Sequence, residues 1–188
     1  AAAKQVSLTE LGSIKINKEE RGKMYKTIPR SSVIGFLIGV LPGAGATIAS
    51  FLAYGMERNL VKDEEKEKFG KGSVNGLSAP ETANNAACSG SFVPMLTLGI
   101  PGSGTTAVML GALLGFGIQP GPRLYMTNPE IFWSVIMSMY IGMVILLILN
   151  LPLIPYIARI LAVPKNYLIP LILFFSITGI YVMSFNNF

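Results

Sequence analysis

The sequence contains no histidine, only one cysteine and few charged residues for its length. Without histidine it lacks the commonest metal ligand and a common general base, and the single Cys88 excludes an internal disulfide. Charged residues make up 13% of the 188 positions, whereas they account for about 25% of a typical soluble domain. These absences disfavour a zinc protein, a disulfide-stabilised domain and an enzyme built on a nucleophile–histidine pair.

The charges that are present lie mostly in the first part of the chain. Twelve of the fifteen Lys and Arg residues fall within residues 1–72, and only Arg123, Arg159 and Lys165 follow. The runs without any charge are residues 31–56, 82–122, 131–158 and 166–188. Each is longer than the roughly 20 residues that span about 30 Å of hydrocarbon, and a soluble helix of that length needs a polar face. We therefore predict an all-α polytopic membrane protein in a lipid bilayer.

The net charge of +5 does not indicate a nucleic-acid partner. The basic residues flank apolar segments, which is the distribution that the positive-inside rule produces. Seven Lys and Arg precede the apolar segment 33–56, and five follow it. A segment that crossed the membrane once would leave one of these basic flanks outside. Both flanks are therefore predicted to be cytoplasmic.

The apolar segment 33–56 is predicted to be a re-entrant helical hairpin. Pro42, Gly43 and Gly45 stand at its centre, and they favour a turn because proline lacks a backbone donor and glycine accepts left-handed backbone angles. Each arm of about ten residues would be about 15 Å long, which reaches roughly to the middle of the bilayer. The alternative is one proline-kinked helix that spans the membrane.

The rest of the chain divides into a polar lead-in, a charged loop, a broken helix and two plainer spans. The lead-in is predicted to be helical and to end at Pro29, and the broken helix is predicted to be interrupted at residues 100–104. Residues 119–129 are placed outside and 155–166 inside. The predicted boundaries are a cytoplasmic lead-in at 1–31 and a transmembrane domain at 32–188, with the hairpin at 33–56, the charged cytoplasmic loop at 57–76, the broken helix at 80–118 and the spans at 131–151 and 167–185. The chain is interpreted as a fragment, because it starts without methionine and stops directly after a span.

Two apolar segments interrupted by proline and glycine are typical of a transporter's binding site. Backbone groups left unpaired at membrane depth are costly unless they line a cavity or are buried in protein. The helices that restart after the two breaks would present free N–H groups and the positive end of a helix dipole to an anion such as a carboxylate. The predicted substrate-binding residues are the glycines, hydroxyls and amides at or near the breaks: Gly43, Gly45, Thr47, Asn84, Asn85, Ser103, Thr105 and Thr106.

Asn84 and Asn85 are included because adjacent amides offer both donors and acceptors to a carboxylate or an ion. Packing between helices is the alternative for these two residues. Glu81 follows Pro80, and the pair is interpreted as the first turn of a helix rather than as a proton-carrying site.

The charge-free runs contain no Lys or Arg that could hold an anionic substrate inside the membrane. Helix ends, hydroxyls, amides and a bound cation would have to take that role. A coupling Na⁺ would suit backbone carbonyls at the opposite helix ends, near Leu41, Pro42, Leu98 and Gly99, and H⁺ is the alternative coupling ion. No other cofactor is predicted.

Five motifs, in this order, resemble the second half of the TctA family, the large membrane subunit of tripartite tricarboxylate transporters. They are GFLIGVLPGAGAT at 35–47, FGKG at 69–72, APETANN at 79–85, LTLGIPGS at 96–103 and QPGP at 119–122. The resemblance implies one half of an inverted-repeat, elevator-like carrier in the bacterial inner membrane. It also implies cation-coupled uptake of carboxylates, with a small membrane subunit and a periplasmic solute-binding protein as partners.

Other classes of membrane protein remain as alternatives. A channel-like pore subunit could also use re-entrant loops, although the sequence offers no ring of charges for selectivity. A structural membrane subunit without transport activity of its own is a second alternative. An intramembrane enzyme is disfavoured because the chain has no histidine and one cysteine.

Overall fold

The computed structural model describes residues 16–158 and 165–184, and every regular element in those ranges is a helix. The predicted all-helical fold is therefore confirmed for the described part of the chain. Contacts divide it into two units, one ending at Met137 and one beginning at Ser138. The helices are α1 Lys18–Val40, α2 Gly45–Leu60, α3 Asp63–Lys66, α4 Val74–Gly90, α5 Phe92–Leu98, α6 Gly104–Gly115, α7 Leu124–Thr127, α8 Pro129–Ala158 and α9 Lys165–Met183.

Helices α1 and α2 form an antiparallel hairpin. Asn17 starts α1 with a capping box, in which its side chain accepts from the Glu20 backbone N–H and the Glu20 carboxylate accepts from the Asn17 N–H. The chain turns between Val40 and Gly45, as the Pro-Gly motif predicted. Far from the turn, the Thr27 hydroxyl donates to the Glu57 carboxylate at 2.8 Å. Insertion of this hairpin into the membrane stays a prediction.

Helix α4 packs against both arms of the hairpin. The buried faces repeat every fourth residue: Thr27, Ser31, Gly35 and Gly39 in α1, Ala49, Ala53 and Glu57 in α2, and Asn75, Ala79, Ala83 and Ala87 in α4. Glycine is required in α1, because a Cβ on Gly35 or Gly39 would lie 2.3 Å from the carbonyl oxygen of Ala83 or Ala87. Small residues at this spacing let three backbones approach closely, as is typical of helices in membranes.

A second core joins α5, α6, α7 and the start of α8. Met95, Leu96, Leu113, Leu124 and Val135 are buried together there. The loop before α7 closes onto α5, because the Gly121 N–H donates to the Leu96 carbonyl at 3.1 Å. This core positions the break between α5 and α6.

The prediction that Pro29 ends the first helix is wrong. Helix α1 continues through Pro29 to Val40, so one arm of the hairpin has 23 residues rather than about ten. Proline fixes a helical φ and removes one hydrogen bond. The buried contacts of Thr27 and Ser31, on either side of it, hold the helix together.

The predicted charged loop and the predicted start of the following helix also differ from the structure. The segment predicted as the charged loop 57–76 contains the end of α2, all of α3 and the start of α4. Pro80 lies in the second turn of α4 and not in its first, so the interpretation of Glu81 as a first-turn acid is wrong. The helix was expected to begin at Pro80 because proline favours that position, but the Ser73 side chain caps it earlier by accepting the Gly76 N–H.

Helix α8 contains a stretch, Pro129–Ile154, that is long and apolar enough to cross a membrane. Helix α9 holds a shorter apolar stretch, Asn166–Val182. Helix α8 contains the predicted span 131–151, and α9 contains residues 167–183 of the predicted span 167–185, whose last residue lies outside the described residues. Residues 159–164 of the loop predicted at 155–166, including Arg159, lie outside the described residues, as do residues 1–15 of the lead-in. The rest of that predicted loop is helical, because α8 continues to Ala158 and α9 begins at Lys165.

Candidate functional site

The first predicted break, at residues 42–45, is a glycine turn between α1 and α2, and we call it the first tip. Gly43 and Gly45 have φ values of 82° and 70°, which side chains with a Cβ rarely adopt. The Leu41 carbonyl accepts the Ala44 N–H at 3.2 Å, so this predicted ion ligand already has one partner. The Thr47 side chain is exposed in the first turn of α2.

The second predicted break, at residues 100–104, joins α5 to α6, and we call it the second tip. Gly99 ends α5 with φ 70°, and Ser103 begins α6 with a capping box in which Ser103 and Thr106 each accept the other's backbone N–H. Thr106 is buried by this arrangement, whereas Thr105 is exposed. The hydroxyls of Ser103 and Thr106 are therefore engaged in capping, and Thr105 keeps a hydroxyl that a ligand could reach.

The second tip lies against the end of α1. A Cβ on Gly102 would stand 3.0 Å from the Ser91 Cβ and 3.7 Å from the Gly39 carbonyl oxygen. Gly90 approaches the same last turn of α1, because a Cβ added to Gly90 would be 2.5 Å from the Phe36 carbonyl oxygen. The break before α6 is thus brought to the last turn of α1, just before the first tip.

The two predicted asparagines point in different directions. The Asn84 amide donates to the Ser50 hydroxyl of α2 at 3.4 Å, so it lies between α4 and α2. Asn85 is exposed and donates to the Glu81 carbonyl of its own helix at 2.9 Å. The structure therefore does not bring the two amides into one site.

A polar cluster of three buried residues and the exposed Arg30, which we call the Glu57 cluster, lies at the end of the hairpin opposite the turn. It consists of Thr27, Arg30, Glu57 and Asn75, from α1, α2 and α4. The Glu57 side chain has 0% exposure. Its Oε1 atom accepts from Arg30 Nη2 at 2.7 Å, Thr27 Oγ1 at 2.8 Å and Asn75 Nδ2 at 2.9 Å.

The second oxygen of the same carboxyl group has no such support. Among the described residues, Glu57 Oε2 and Asn75 Oδ1 are buried without a hydrogen-bond partner, and Ser31 Oγ and Ser78 Oγ are two further such atoms. The Asn75 amide orientation follows from its contacts, because Nδ2 donates both to Glu57 Oε1 and to Thr27 Oγ1 at 3.0 Å. A buried polar atom without a partner is costly, so these atoms need a further explanation.

A rim of exposed and half-buried ion pairs lines the same cleft as Arg30 and Asn75 of the Glu57 cluster. The Lys23 ammonium group lies 3.1 Å from a carboxylate oxygen of Glu19 and 3.1 Å from one of Glu65. The hydrogen bond to Glu19, followed by that to Glu65, raises the pKa of Lys23. Burial alone would raise the pKa of Glu65, but hydrogen bonds from Lys23, Ser73 and Lys68 outweigh it, so its pKa is lowered. The rim thereby joins α1 to α3.

Sequence reasoning missed the Glu57 cluster because it treated Glu57 as the start of a solvated loop. A signal was present in the spacing of small residues. Glu57 follows Ala49 and Ala53 at intervals of four, and Asn75 precedes Ala79 at the same interval. Extending each small-residue pattern by one helical turn would have put these polar residues on the buried face.

Comparison with known proteins agrees with the motifs. The sequence matches the family described as "Tripartite tricarboxylate transporter TctA family" over residues 1–188. The chain belongs to this family. The predicted family resemblance is therefore confirmed, and TctA proteins form a transporter family rather than a family of enzymes. No solved structure matches the chain.

Two curated relatives of this TctA chain come from Agrobacterium vitis. One, named "Uncharacterized 52.8 kDa protein in TAR-I ttuC' 3'region", is 40% identical over 98% of the chain and 36% of its own length. The other, "Uncharacterized protein in TAR-II ttuC' 3'region", is 46% identical over 82% of the chain and 63% of its own length. The chain thus spans less than two thirds of either relative.

Proposed function

We propose that this TctA chain is part of the large membrane subunit of a secondary, cation-coupled carrier that takes up carboxylates such as tricarboxylates. Family membership supports transport, and the packing of the second break against the last turn of α1, just before the first break, supports a binding site. A Cβ on Gly102 would lie 3.7 Å from the carbonyl oxygen of Gly39. Glycine-containing breaks of this kind provide helix ends that can bind an anionic substrate.

Within this site we assign different roles to the predicted residues. The backbone around Gly43 and Gly45 and the exposed hydroxyls of Thr47 and Thr105 would contact the substrate. Ser103 and Thr106 would hold the start of α6 in place. Asn84 would support the α2–α4 contact, and Asn85 stays a proposed ligand on the exposed face of α4. Na⁺ at the carbonyls of Leu41, Pro42, Leu98 and Gly99 stays a proposal.

The proposed setting is the bacterial inner membrane, with the two basic flanks of the hairpin in the cytoplasm. The contact between Lys23 and Glu65 supports a common side for these flanks. The partners would be a small membrane subunit and a periplasmic solute-binding protein. Because the chain covers only part of its relatives, the remainder of the subunit would contribute the other repeat of an elevator-like carrier and the other half of the site.

Reconstitution tests the proposed function. The full-length subunit is placed in liposomes with its small membrane subunit, and uptake of radiolabelled citrate is measured with added binding protein. We expect uptake that requires the binding protein and a Na⁺ or pH gradient. Uptake without either requirement, or single-channel currents in a planar bilayer, would favour the channel-like alternative. An assembly that takes up no carboxylate from a broad panel would contradict the proposal.

A further inference from the structure

We propose that the Glu57 cluster is a proton-binding site, in which Glu57 Oε2 takes up a proton and donates it in a hydrogen bond to Asn75 Oδ1. Both oxygens are buried, both are acceptors, and neither has a partner among the described residues. Their side chains already touch, because Asn75 Nδ2 lies 2.9 Å from Glu57 Oε1. One proton therefore satisfies two buried atoms, and the acid and the amide then form a paired set of two hydrogen bonds.

The ionised form of Glu57 is also stabilised. Arg30 Nη2 lies 2.7 Å from Oε1, so the negative charge has a cationic partner. The Arg30 side chain is 40% exposed, and it can turn toward water when the charge on Glu57 is lost. A buried carboxyl that is compensated in both protonation states is suited to exchange a proton rather than only to stabilise the fold.

A metal ion fits the same atoms less well. Hard cations such as Ca²⁺ and Mg²⁺ take about six or more oxygen ligands, whereas the described residues leave four buried side-chain oxygens without partners, on Glu57, Asn75, Ser31 and Ser78. Oε1 is already occupied by three donors. The guanidinium of Arg30 would also repel a second cation beside it. A proton needs a single acceptor, and Asn75 Oδ1 provides it.

Water can reach the Glu57 cluster from one side. A cleft of about 740 Å³ is lined by Arg30 and Asn75. A proton would pass from water in this cleft to Glu57 Oε2, which converts the carboxylate to a neutral acid without any other bond change. The charged groups that line this cleft are Glu19, Lys23, Lys26 and Arg30 from α1, Lys62, Glu64 and Glu65 at or in α3, and Lys68 after it.

This inference deepens the proposed function, since the proton would be the coupling ion of the carrier. It puts the coupling site at the base of the hairpin, whereas the proposed substrate site lies at its turn. Helices α1, α2 and α4 connect the two places through the small residues that are buried at every fourth position, which we call the small-residue stripe. Charge on Glu57 would then alter how tightly the arms of the hairpin are held to α4.

Infrared difference spectroscopy of the purified full-length protein tests the proton site without any transport assay. As pH falls, we expect the carbonyl-stretch band of a protonated, buried carboxyl group to appear in protein labelled with ¹³C-glutamate. Glu57→Gln should lack this band and stay folded, because its amide can donate to Asn75 Oδ1 as the protonated acid would. Glu81→Gln is the matched control, since Glu81 is exposed on α4, and it should keep the band.

Two further variants should move the titration in opposite directions. Asn75→Ala removes the acceptor of the proposed hydrogen bond, so the proton should bind about tenfold more weakly. Arg30→Gln removes the cation that stabilises the carboxylate, so the proton should bind about 10- to 100-fold more tightly. A residue that only holds the helices together would not give this pair of shifts.

Three results would overturn the proton assignment. The first is a band that is unchanged in Glu57→Gln, or that does not appear in the wild type. The second is a titration that Asn75→Ala and Arg30→Gln both leave unchanged. The third is thermal stability that rises with Na⁺ at constant pH and loses this response in Glu57→Gln, which would make the cluster a metal-ion site. If the band titrates as expected but the reconstituted assembly takes up no carboxylate, the proton site stands and the proposed function falls.

Discussion

Thr27 Oγ1 and Asn75 Nδ2 lie 3.0 Å apart, although 48 positions separate the two residues in the sequence. The same interval relates Gly35 to Ala83 and Gly39 to Ala87, whose carbonyls lie against those glycines. A constant interval over three helical turns means that α1 and α4 run parallel and in register. The contact between them starts with a polar pair and continues with small residues, so the packing of the small-residue stripe also positions the Glu57 cluster.

Adding one methyl group to the α1–α4 contact should destabilise the protein. Gly39→Ala would put a Cβ 2.3 Å from the Ala87 carbonyl oxygen, so the helices must separate, at a cost of about 1–3 kcal/mol. Gly22→Ala is the matched control in the same helix, because nothing lies within 4 Å of its Cβ position, and alanine there should be neutral or stabilising by up to about 1 kcal/mol. Thermal unfolding in detergent measures both, and equal midpoints for the two variants would contradict the close contact.

The glycines of the first tip should resist substitution for a different reason. Nothing lies within 4 Å of the Cβ positions of Gly43 and Gly45, but both residues have positive φ angles. Alanine at either position should therefore cost about 1–2 kcal/mol through backbone strain alone. Gly43→Asn should cost less than Gly43→Ala, since asparagine tolerates this conformation better. If the two variants have the same unfolding midpoint, strain at the turn is not the cause.

Neighbouring threonines in α6 should separate stability from substrate binding. Thr106→Val removes a capping side chain that is buried, so it should lower the free energy of unfolding by about 0.5–2 kcal/mol. Thr105→Val alters an exposed hydroxyl and should leave stability unchanged. If Thr105 contacts the substrate as proposed, its loss should weaken carboxylate binding roughly 10- to 100-fold in the full-length protein. Unaltered binding in Thr105→Val would leave only backbone groups for recognition at this tip.

The contact between Lys23 and Glu65 predicts how stability changes at the extremes of pH. The lowered pKa of Glu65 means that its contribution is present above its usual value of 4.5 and is lost as pH falls through the lowered value. The raised pKa of Lys23 means that its contribution is present below 10.5 and is lost as pH rises through the raised value. Glu65→Gln should flatten the acid limb of the unfolding midpoint against pH, and Glu64→Gln serves as the control. An acid limb equally steep in Glu65→Gln would rule out this contact as its cause.

The orientation of the hairpin can be measured by labelling a single cysteine. Cys88 is exposed, so it must first be replaced in the full-length protein. A cysteine at Asn59, which is exposed near the end of α2, should then react with a membrane-impermeant reagent only after the cells are opened, because the basic flanks are predicted to be cytoplasmic. Labelling in intact cells from the periplasmic side would reverse the proposed topology.

The sequence by itself determined the class of this protein and the positions of its main turns. Long runs without charge indicate an apolar environment, and three of the five family motifs, at 35–47, 96–103 and 119–122, lie in those runs. The turn between α1 and α2 and the break between α5 and α6 were predicted correctly because proline and glycine act locally, through a missing donor and through left-handed backbone angles. These are properties of a few adjacent residues.

Tertiary structure decided what local signals could not. Pro29 stays within α1 because the residues around it pack against α4 and α2, which outweighs a single lost hydrogen bond. Ser103 and Thr106 were predicted as ligands, but the start of α6 engages their hydroxyls in its cap. Glu57 belongs to a charged stretch in the sequence, and it is buried because α1 and α4 present Thr27, Arg30 and Asn75 to it. Such a cluster depends on contacts between residues 18 to 48 positions apart, and those contacts exist only once the three helices have packed.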